Sequence, residues 1–340
     1  MSPKTDSTMK LDVIVPTYNR HEMLKRTLDS LMAARVPEGL TVRVTVVDNN
    51  SKDETRRVVE DYIERHGQER VSYLLEKEQG RSPALNAGIR ATDGDIVGMI
   101  DDDEEIDAGW YEQAHEAFSD ASVDFIGGPC APRWGMECPE WFPLSYRGVV
   151  GWVDGGDSRC PFDDDYPGIL MGGNSVLRRS ILEKVGLYTT KLGRTDKHLL
   201  SCEDEDMYHR LREAGARGFY LPGLVIYHYI PPERLTKRYF RQWSFWRGVS
   251  QGVIDRERRM PVAYLLGVPR WIVGKAVRGA ISKVSRVIRF DKNRAESFSD
   301  ELAVWDFAGF FYGKHFYKEN KSAKSAVEAG NDSLAMSRTS

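Results

Sequence analysis

The sequence predicts an α/β fold, a mostly parallel sheet flanked by helices, followed by a helical C-terminal appendage. Two observations predict it. Over the first hundred residues short apolar runs alternate with segments of helical periodicity, the pattern of parallel strands joined by crossover helices. Three of these runs end in polar residues, Thr17-Tyr18-Asn19-Arg20, Asp48-Asn49-Asn50-Ser51 and Asp101-Asp102-Asp103, and open parallel sheets bind ligands at the carboxyl ends of their strands.

Residues 11–15 form the first apolar strand, and Leu24, Leu28, Leu31 and Met32 follow at helical spacing. A second strand spans 42–47, a helix lies near 53–66, a third strand covers 71–75, and a helix lies near 83–91. Ser82-Pro83 reads as the start of that helix, an N-cap followed by proline at the first helical position. The apolar run 95–100 then delivers Asp101, Asp102 and Asp103 to an exposed strand tip. Side chains alternate across a strand, so Asp101 and Asp103 are expected on one side with Asp102 pointing away. That spacing suits Mg²⁺ or Mn²⁺, hard ions that reach proteins through one or two carboxylates plus substrate phosphates. A lone charge run is usually a solvated turn, and Asn, Asp and Ser at strand ends commonly cap the next helix. Three polar ends on one sheet edge favour a site.

Further along, Ser201-Cys202-Glu203-Asp204-Glu205-Asp206 precedes a helical segment that ends at Gly215. These carboxylates either cap the helix, as Ser201 with an acidic residue three positions on suggests, or supply a base that takes a proton from a bound hydroxyl. His228, read as ending another apolar strand, is either a Mn²⁺ ligand or a buried, hydrogen-bonded histidine. Gly172-Gly173-Asn174 is either a bulged strand or a close approach of backbone to ligand. Residues 129–168 carry Trp134, Trp141, Phe142, Tyr146, Trp152 and Phe162 among many Pro, Gly and Asp, a long irregular insertion whose aromatic content argues against disorder.

At 340 residues, with 41% hydrophobic residues and a net charge of −3, the chain can hold one large domain and a smaller appendage. No nucleic-acid partner is implied, and no internal repeat is present. Cys130, Cys138, Cys160 and Cys202 have no CxxC spacing, so zinc is not expected. The polar N-terminus lacks a signal peptide, which favours reduced thiols in the cytoplasm. Residues 1–9 and 319–340 are expected to be disordered.

The appendage, 231–318, begins after Pro231-Pro232. Its first helix, near 233–250, mixes Arg234, Lys237, Arg238, Arg241 and Arg247 with Tyr239, Phe240, Trp243, Phe245 and Trp246. From 261 to 290 there is no acidic residue, and a stripe of Leu265, Ile272, Val273, Ala276, Val277, Ala280, Ile281, Val284, Val287 and Ile288 runs beside Arg270, Lys275, Arg278, Lys283, Arg286 and Arg289. The run is too interrupted to span a bilayer, which needs about 20 mostly apolar residues. It fits an interfacial helix on an anionic membrane surface, the alternative being a packing helix.

Val15-Pro16-Thr17-Tyr18-Asn19-Arg20, Val46-Val47-Asp48-Asn49-Asn50-Ser51, Gly80-Arg81 with Ala84-Leu85-Asn86-Ala87-Gly88, the Asp101 to Asp103 run and Glu203-Asp204 together resemble glycosyltransferase family 2. The resemblance spans about residues 11–230. It implies the GT-A fold, a Rossmann-like sheet over 10–230, and inverting transfer from a nucleotide-diphosphate sugar, UDP being the commonest nucleotide. It makes Asp103 the direct metal ligand, Asp101 a contact to ribose or metal, and Asp48 the carboxylate that reads the base. Pro16, Thr17, Tyr18, Arg20 and Asp102 fall at the nucleoside pocket, Asn86 with the donor-binding residues, and Arg81 at uridine or phosphate, although a surface arginine before a helix would look the same. Asp204 matches the base and Glu203 orients acceptor or metal-bound groups. Gly173 and Asn174 line the donor-sugar and acceptor pocket, and His228 sits where some GT-A enzymes have a metal ligand. The implied cofactor is Mn²⁺ or Mg²⁺ and the implied acceptor a glycan or lipid-linked glycan of the cell envelope, while the basic helix and the lack of a signal peptide point to the cytoplasmic face of the cell membrane. Aromatic residues of 129–168 would stack on acceptor sugars or fill a local core. The alternatives are a sugar-phosphate nucleotidyltransferase, whose Gly-rich N-terminal signature is replaced here by Val15-Pro16-Thr17-Tyr18-Asn19, and a non-catalytic binding scaffold.

Overall fold

A computed structural model describes residues 8–190, 202–257, 259–289 and 293–317. Ser201, the tail 319–340 and all but residues 8 and 9 of the expected N-terminal segment lie outside the described residues. The main sheet opens with β1 (Met9–Thr17), β2 (Leu40–Asp48), β3 (Val71–Leu75) and β4 (Ile96–Met99), connected through α1 (His21–Ala33), α2 (Thr55–His66) and α3 (Arg81–Ala91). These four strands are parallel, ordered β3-β2-β1-β4.

Period-two alternation explains how both faces are covered. Leu11, Val13 and Val15 of β1 enter one core with Leu24, Leu28, Leu31 and Val59, while Ile14 enters the other with Leu85 and Ile89 of α3. Strands buried on both faces read as continuous apolar runs, which is why this half was legible. One boundary moves: α3 starts at Arg81 behind Gly80, whose φ of 137° only glycine tolerates readily. Pro83 is then the third helical residue rather than the first, still within the turn where amide hydrogens lack intrahelical partners.

Beyond β4 come β5 (Glu104–Ile106), α4 (Trp110–Phe118), β6 (Phe125–Gly127), β7 (Cys130–Trp134), β8 (Cys160–Pro161), β9 (Ser175–Arg178), α5 (Arg179–Val185), α6 (Glu203–Glu213), β10 (Gly218–Tyr220) and β11 (Ile226–Ile230). The main sheet continues from β4 as β9-β6-β10-β8, with β9 and β8 antiparallel to their neighbours. A second sheet, β5-β11-β7, stands beside it. His228 is therefore in the middle of β11, not at a strand end. The segment 129–168 is partly ordered into β7, β8 and a 3-10 turn at Leu144–Val150. Trp134, Trp141, Phe142 and Tyr146 fill a local core with Phe240, Phe298 and Leu302.

That aromatic core fastens the appendage, which comprises α7 (Lys237–Glu257), the hairpin β12 (Tyr264–Leu265) and β13 (Val268–Pro269), α8 (Arg270–Ile288) and α9 (Arg294–His315). Helices α7 and α9 meet along Gly248 and Gly252 on one and Gly309 and Gly313 on the other. A Cβ at any of the four would collide with main-chain atoms of the opposite helix. The basic residues of α8 do not form the uniform solvent face expected of them. Lys283 pairs with Glu301, and Arg286 with Glu296 and Asp300, all on α9, while Lys275 lies 5.1 Å from the Tyr146 ring. The outward face carries an apolar stripe beside exposed Arg270, Lys275 and Arg278: Val277, Ile281, Val284 and Ile288 are 51–70% exposed. Among the described residues no helix is long and apolar enough to cross a membrane.

Candidate active site

The site forms where β1, β2 and β4 end. Strand β4 stops at Met99, so the three aspartates lie in a turn into β5 and strand alternation does not govern them. This corrects two expectations. Asp102 and Asp103 are buried, at 4% and 8% exposure, rather than at an exposed tip. Both also turn toward Arg20, whose Nη1 donates to Asp102 Oδ1 at 2.9 Å and to Asp103 Oδ2 at 3.2 Å. Thr17 Oγ1 donates to Asp102 Oδ2 at 2.8 Å, and Thr27 Oγ1 on α1 holds the Asp102 carbonyl at 2.9 Å.

Asp101 faces the other way. Arg81, carried into the site by the early start of α3, donates from Nε to Asp101 Oδ1 at 2.8 Å and from Nη1 to Asp204 Oδ1 at 3.0 Å and Glu203 Oε1 at 3.4 Å. Its Nη2 is buried without a partner. Asp204 lies in the first turn of α6, whose N-cap is Cys202 in the left-handed region at φ 79°, with no side chain capping it. Gly172 and Gly173 make this packing feasible: a Cβ on Gly172 would strike the Asp204 carboxylate, and one on Gly173 the Glu104 carboxylate.

Asp103 is also reached by Arg234 Nη2 at 3.1 Å, and His228 Nε2 lies 3.5 Å away. The Val150 carbonyl, 2.9 Å from His228 Nδ1, fixes that nitrogen as a donor, so Nε2 is the ring nitrogen that faces Arg234 and Asp103. Burial opposes ionisation of Asp103, yet His228, Arg234 and Arg20 hold its carboxyl well below the usual carboxylate range. Burial pushes Asp102 up to about 6 against the pull of Arg20. Burial, reinforced by Asp101 and Asp103, raises Glu104 well above the usual range.

A cavity of about 920 Å³ joins these groups, at the large end of ligand sites. Of the expected residues, Pro16, Thr17, Tyr18, Arg20, Arg81, Asp101, Asp102, Asp103, Gly173, Asn174, Glu203, Asp204 and His228 line it. Asp48 and Asn86 do not. Asp48 accepts from the Ser51 amide at 2.8 Å and the Tyr73 hydroxyl at 2.7 Å. Asn86 clamps the backbone of Tyr188 at both its N–H and carbonyl. The Asn174 side chain is likewise committed, to the carbonyls of Pro129 and Leu224 and the Trp110 indole.

Among the described residues, eight carboxylates and five guanidinium groups line the cavity. No group of three or more His, Cys, Asp or Glu among the described residues is arranged to hold a metal alone. An Mg²⁺-like ion takes one or two carboxylates and completes its shell with phosphate oxygens; Asp101 and Asp103 both line the cavity, each engaged by a different arginine. Sequence reasoning missed Glu104, which extends the aspartate run by one residue and accepts the Asp101 amide at 2.8 Å. It also missed Arg234 as a partner of Asp103, and a row on α7, Tyr239, Trp243, Arg247 and Gln251, that lines the cavity. The regular four-residue spacing of that row was the available signal.

A family profile described as Glycosyl transferase family 2 matches residues 12–186, which takes in all three strand ends and Gly173. The chain belongs to glycosyltransferase family 2. The glucosyl-dolichyl phosphate glucuronosyltransferase of Haloferax volcanii is 29% identical over 253 residues, covering 73% of this chain and 78% of that protein. Succinoglycan biosynthesis protein ExoM of Rhizobium meliloti is 25% identical over 257 residues, 74% of this chain and 77% of ExoM. Mannosyltransferase PcManGT from Pyrobaculum calidifontis, solved in complex with GDP-Man and Mn²⁺, superposes with a TM-score of 0.59 at 19% identity, over 90% of this chain and 88% of that one. This family 2 chain has the GT-A fold, and its helical appendage follows the family-matched region.

Proposed function

We propose that the protein transfers a sugar from a nucleotide-diphosphate donor, a UDP-sugar foremost, to a hydroxyl of a glycan or lipid-linked acceptor, with inversion at the anomeric carbon. The observation that carries this reading is that Asp101, Asp103 and Asp204 share one cavity with the strand-end residues Thr17, Tyr18 and Arg20. The acceptor oxygen attacks the anomeric carbon while the bond to the diphosphate oxygen breaks. The electron pair departs with the nucleotide diphosphate, and Asp204 takes the hydroxyl proton as general base. Asp101 and Asp103 would hold Mn²⁺ or Mg²⁺, with His228 beside Asp103, and the ion would supply Lewis-acid stabilisation for a departing diphosphate.

Arg81 spans Asp101 and Asp204 and keeps one buried N–H group for a donor phosphate. Pro16, Thr17, Tyr18, Arg20 and Asp102 form the nucleoside end, and Asp48, whose carboxylate holds the Ser51 amide and the Tyr73 hydroxyl, shapes that end from outside the cavity lining. Gly173 and Asn174 shape the sugar end, Asn86 supports that wall through Tyr188, and Glu203 orients the acceptor. The relative acting on a glucosyl-dolichyl phosphate supports a lipid-linked acceptor. For such a substrate the protein would sit on the cytoplasmic face of the cell membrane, held by the outward stripe of α8. Among the described residues, twelve of the sixteen exposed large apolar residues lie between Val262 and Phe316, a density that marks an interaction surface.

The test is nucleotide release from a panel of UDP-, GDP- and dTDP-sugars by the purified chain with Mn²⁺. Release from at least one donor, abolished by a chelator, supports the reading. No release and no nucleotide binding across the panel overturns it.

A further inference from the structure

The cavity extends past the metal and base groups to α7, where Tyr239, Trp243, Arg247 and Gln251 line it. Residues four apart climb one side of a helix, so these side chains form a continuous wall. Its chemistry is mixed. Trp243 offers a ring, with the Arg247 guanidinium 5.3 Å from its centroid. Tyr239 brings a hydroxyl that is buried without a hydrogen-bond partner, and Arg247 an Nε in the same condition. Gln251 adds an amide that can both donate and accept.

Charge decides what such a wall recognises. Arg247 Nη2 donates to Asp306 Oδ2 at 2.7 Å, and the Tyr146 hydroxyl reaches the same oxygen at 3.0 Å. The guanidinium is thus neutralised from behind and presents a donor without net charge. A phosphate would meet no uncompensated cation there, in a cavity whose lining already carries excess carboxylate. A sugar ring meets an aromatic face, a hydroxyl, an amide and a neutralised N–H donor, each of which it can use. The wall is also close to the chemistry, since Cys202, Glu203 and Asp204 line the same cavity.

We propose that the α7 row is a glycosyl-binding subsite that holds a sugar ring of the acceptor, so that the acceptor is chosen by its carbohydrate at this wall. This rests on the transferase reading above. The test is calorimetric titration of the full chain with p-nitrophenyl glycosides of glucose, galactose, mannose and N-acetylglucosamine, with UDP plus Mn²⁺ and inorganic phosphate as separate arms. At least one glycoside should bind, and Trp243→Ala and Gln251→Leu should each weaken it about tenfold while UDP affinity moves less than twofold.

Tyr239→Phe guards against misreading a folding defect. It removes only an unpaired buried hydroxyl, so its Tm should be unchanged or higher while glycoside affinity falls. A purely structural tyrosine would show no such split. The proposal is overturned if no glycoside binds, if glycosides bind all three variants as they bind the parent chain, or if inorganic phosphate competes at this wall. Failure of UDP to bind would instead strike the donor reading.

Discussion

Nη1 of Arg81 donates to Oδ1 of Asp204 at 3.0 Å while Nε of the same guanidinium holds Asp101. One cation therefore ties the proposed base to a proposed metal ligand. Arg81→Gln leaves Asp101, Glu203 and Asp204 facing one another without it. Removing one partner of a buried ion pair costs about 3 kcal/mol or more, so the melting temperature should fall by about 5–10 °C. Mn²⁺ should then recover more stability in Arg81→Gln than in the parent chain, as thermal melts with and without the ion would show. Equal Mn²⁺ shifts would mean that Arg81 and the ion do not serve the same carboxylates.

Asp204→Asn should retain nucleotide binding and lower sugar transfer by about 10²–10⁴-fold, the range for loss of a general base. Gly172→Ala should do comparable damage from outside the chemistry, because its methyl group would displace the Asp204 carboxylate. Steady-state transfer rates beside nucleotide titrations check both. A fall in nucleotide affinity matching the fall in rate would assign Asp204 to donor binding instead.

Asp103→Asn, and chelation of the parent chain, should each abolish donor turnover, since Asp103 is held ionised among Arg20, Arg234 and His228. Nucleotide release in excess chelator is the measurement. Undiminished release would remove the metal from the mechanism.

The appendage should loosen in acid. Glu301 bridges α7 and α8 through Arg241 and Lys283, and although burial opposes it, these partners lower its carboxyl to about 2 from an ordinary 4.5. A depressed folded-state value stabilises above the unfolded value and is lost as pH falls through the folded one. The contribution, on the order of 2 kcal/mol, is thus complete above about pH 5 and fades toward the folded value. Glu301→Gln should melt lower than the parent near neutrality, with the gap closing on acidification. A gap independent of pH would indicate a packing effect.

Membrane attachment should follow apolar area more than charge. Ile281→Asp with Val284→Asp, both on the exposed face of α8, should release the protein from anionic vesicles in a sedimentation assay. Lys283→Glu with Arg286→Glu should mainly lower the Tm by breaking pairs to α9. Vesicle binding that survives the first pair and disappears in a folded second pair would restore the electrostatic reading.

Residues that declare themselves through local periodicity were legible: β1 to β4, their helices, the strand-end polar groups and the acidic start of α6. The turn geometry of Asp101 to Asp103 was not, because strand alternation was extended past Met99, where the ladder stops. Asn86 and Asp48 carry side chains that suit either a ligand or the backbone, and only the fold turned them to Tyr188, Ser51 and Tyr73. The partners of Lys283 and Arg286 lie on another helix, so a segment without acidic residues looked uniformly basic. Arg234 and the α7 row reach the cavity through the aromatic core of Phe142, Phe240 and Phe298, a contact between segments a hundred residues apart that no local pattern encodes.

Helices α7 and α9 touch main chain to main chain along Gly248, Gly252, Gly309 and Gly313. At these four crossing points no side chain separates the two main chains, so rotamer changes there cannot slide one helix past the other. New acceptor preferences can then arise only by repainting the inner surface of α7, one residue at a time, while its position stays fixed. Any residue larger than glycine at the four crossing points would force the helices apart and displace the whole wall at once. Laboratory evolution of this protein should accumulate changes on the painted side and leave those four glycines untouched.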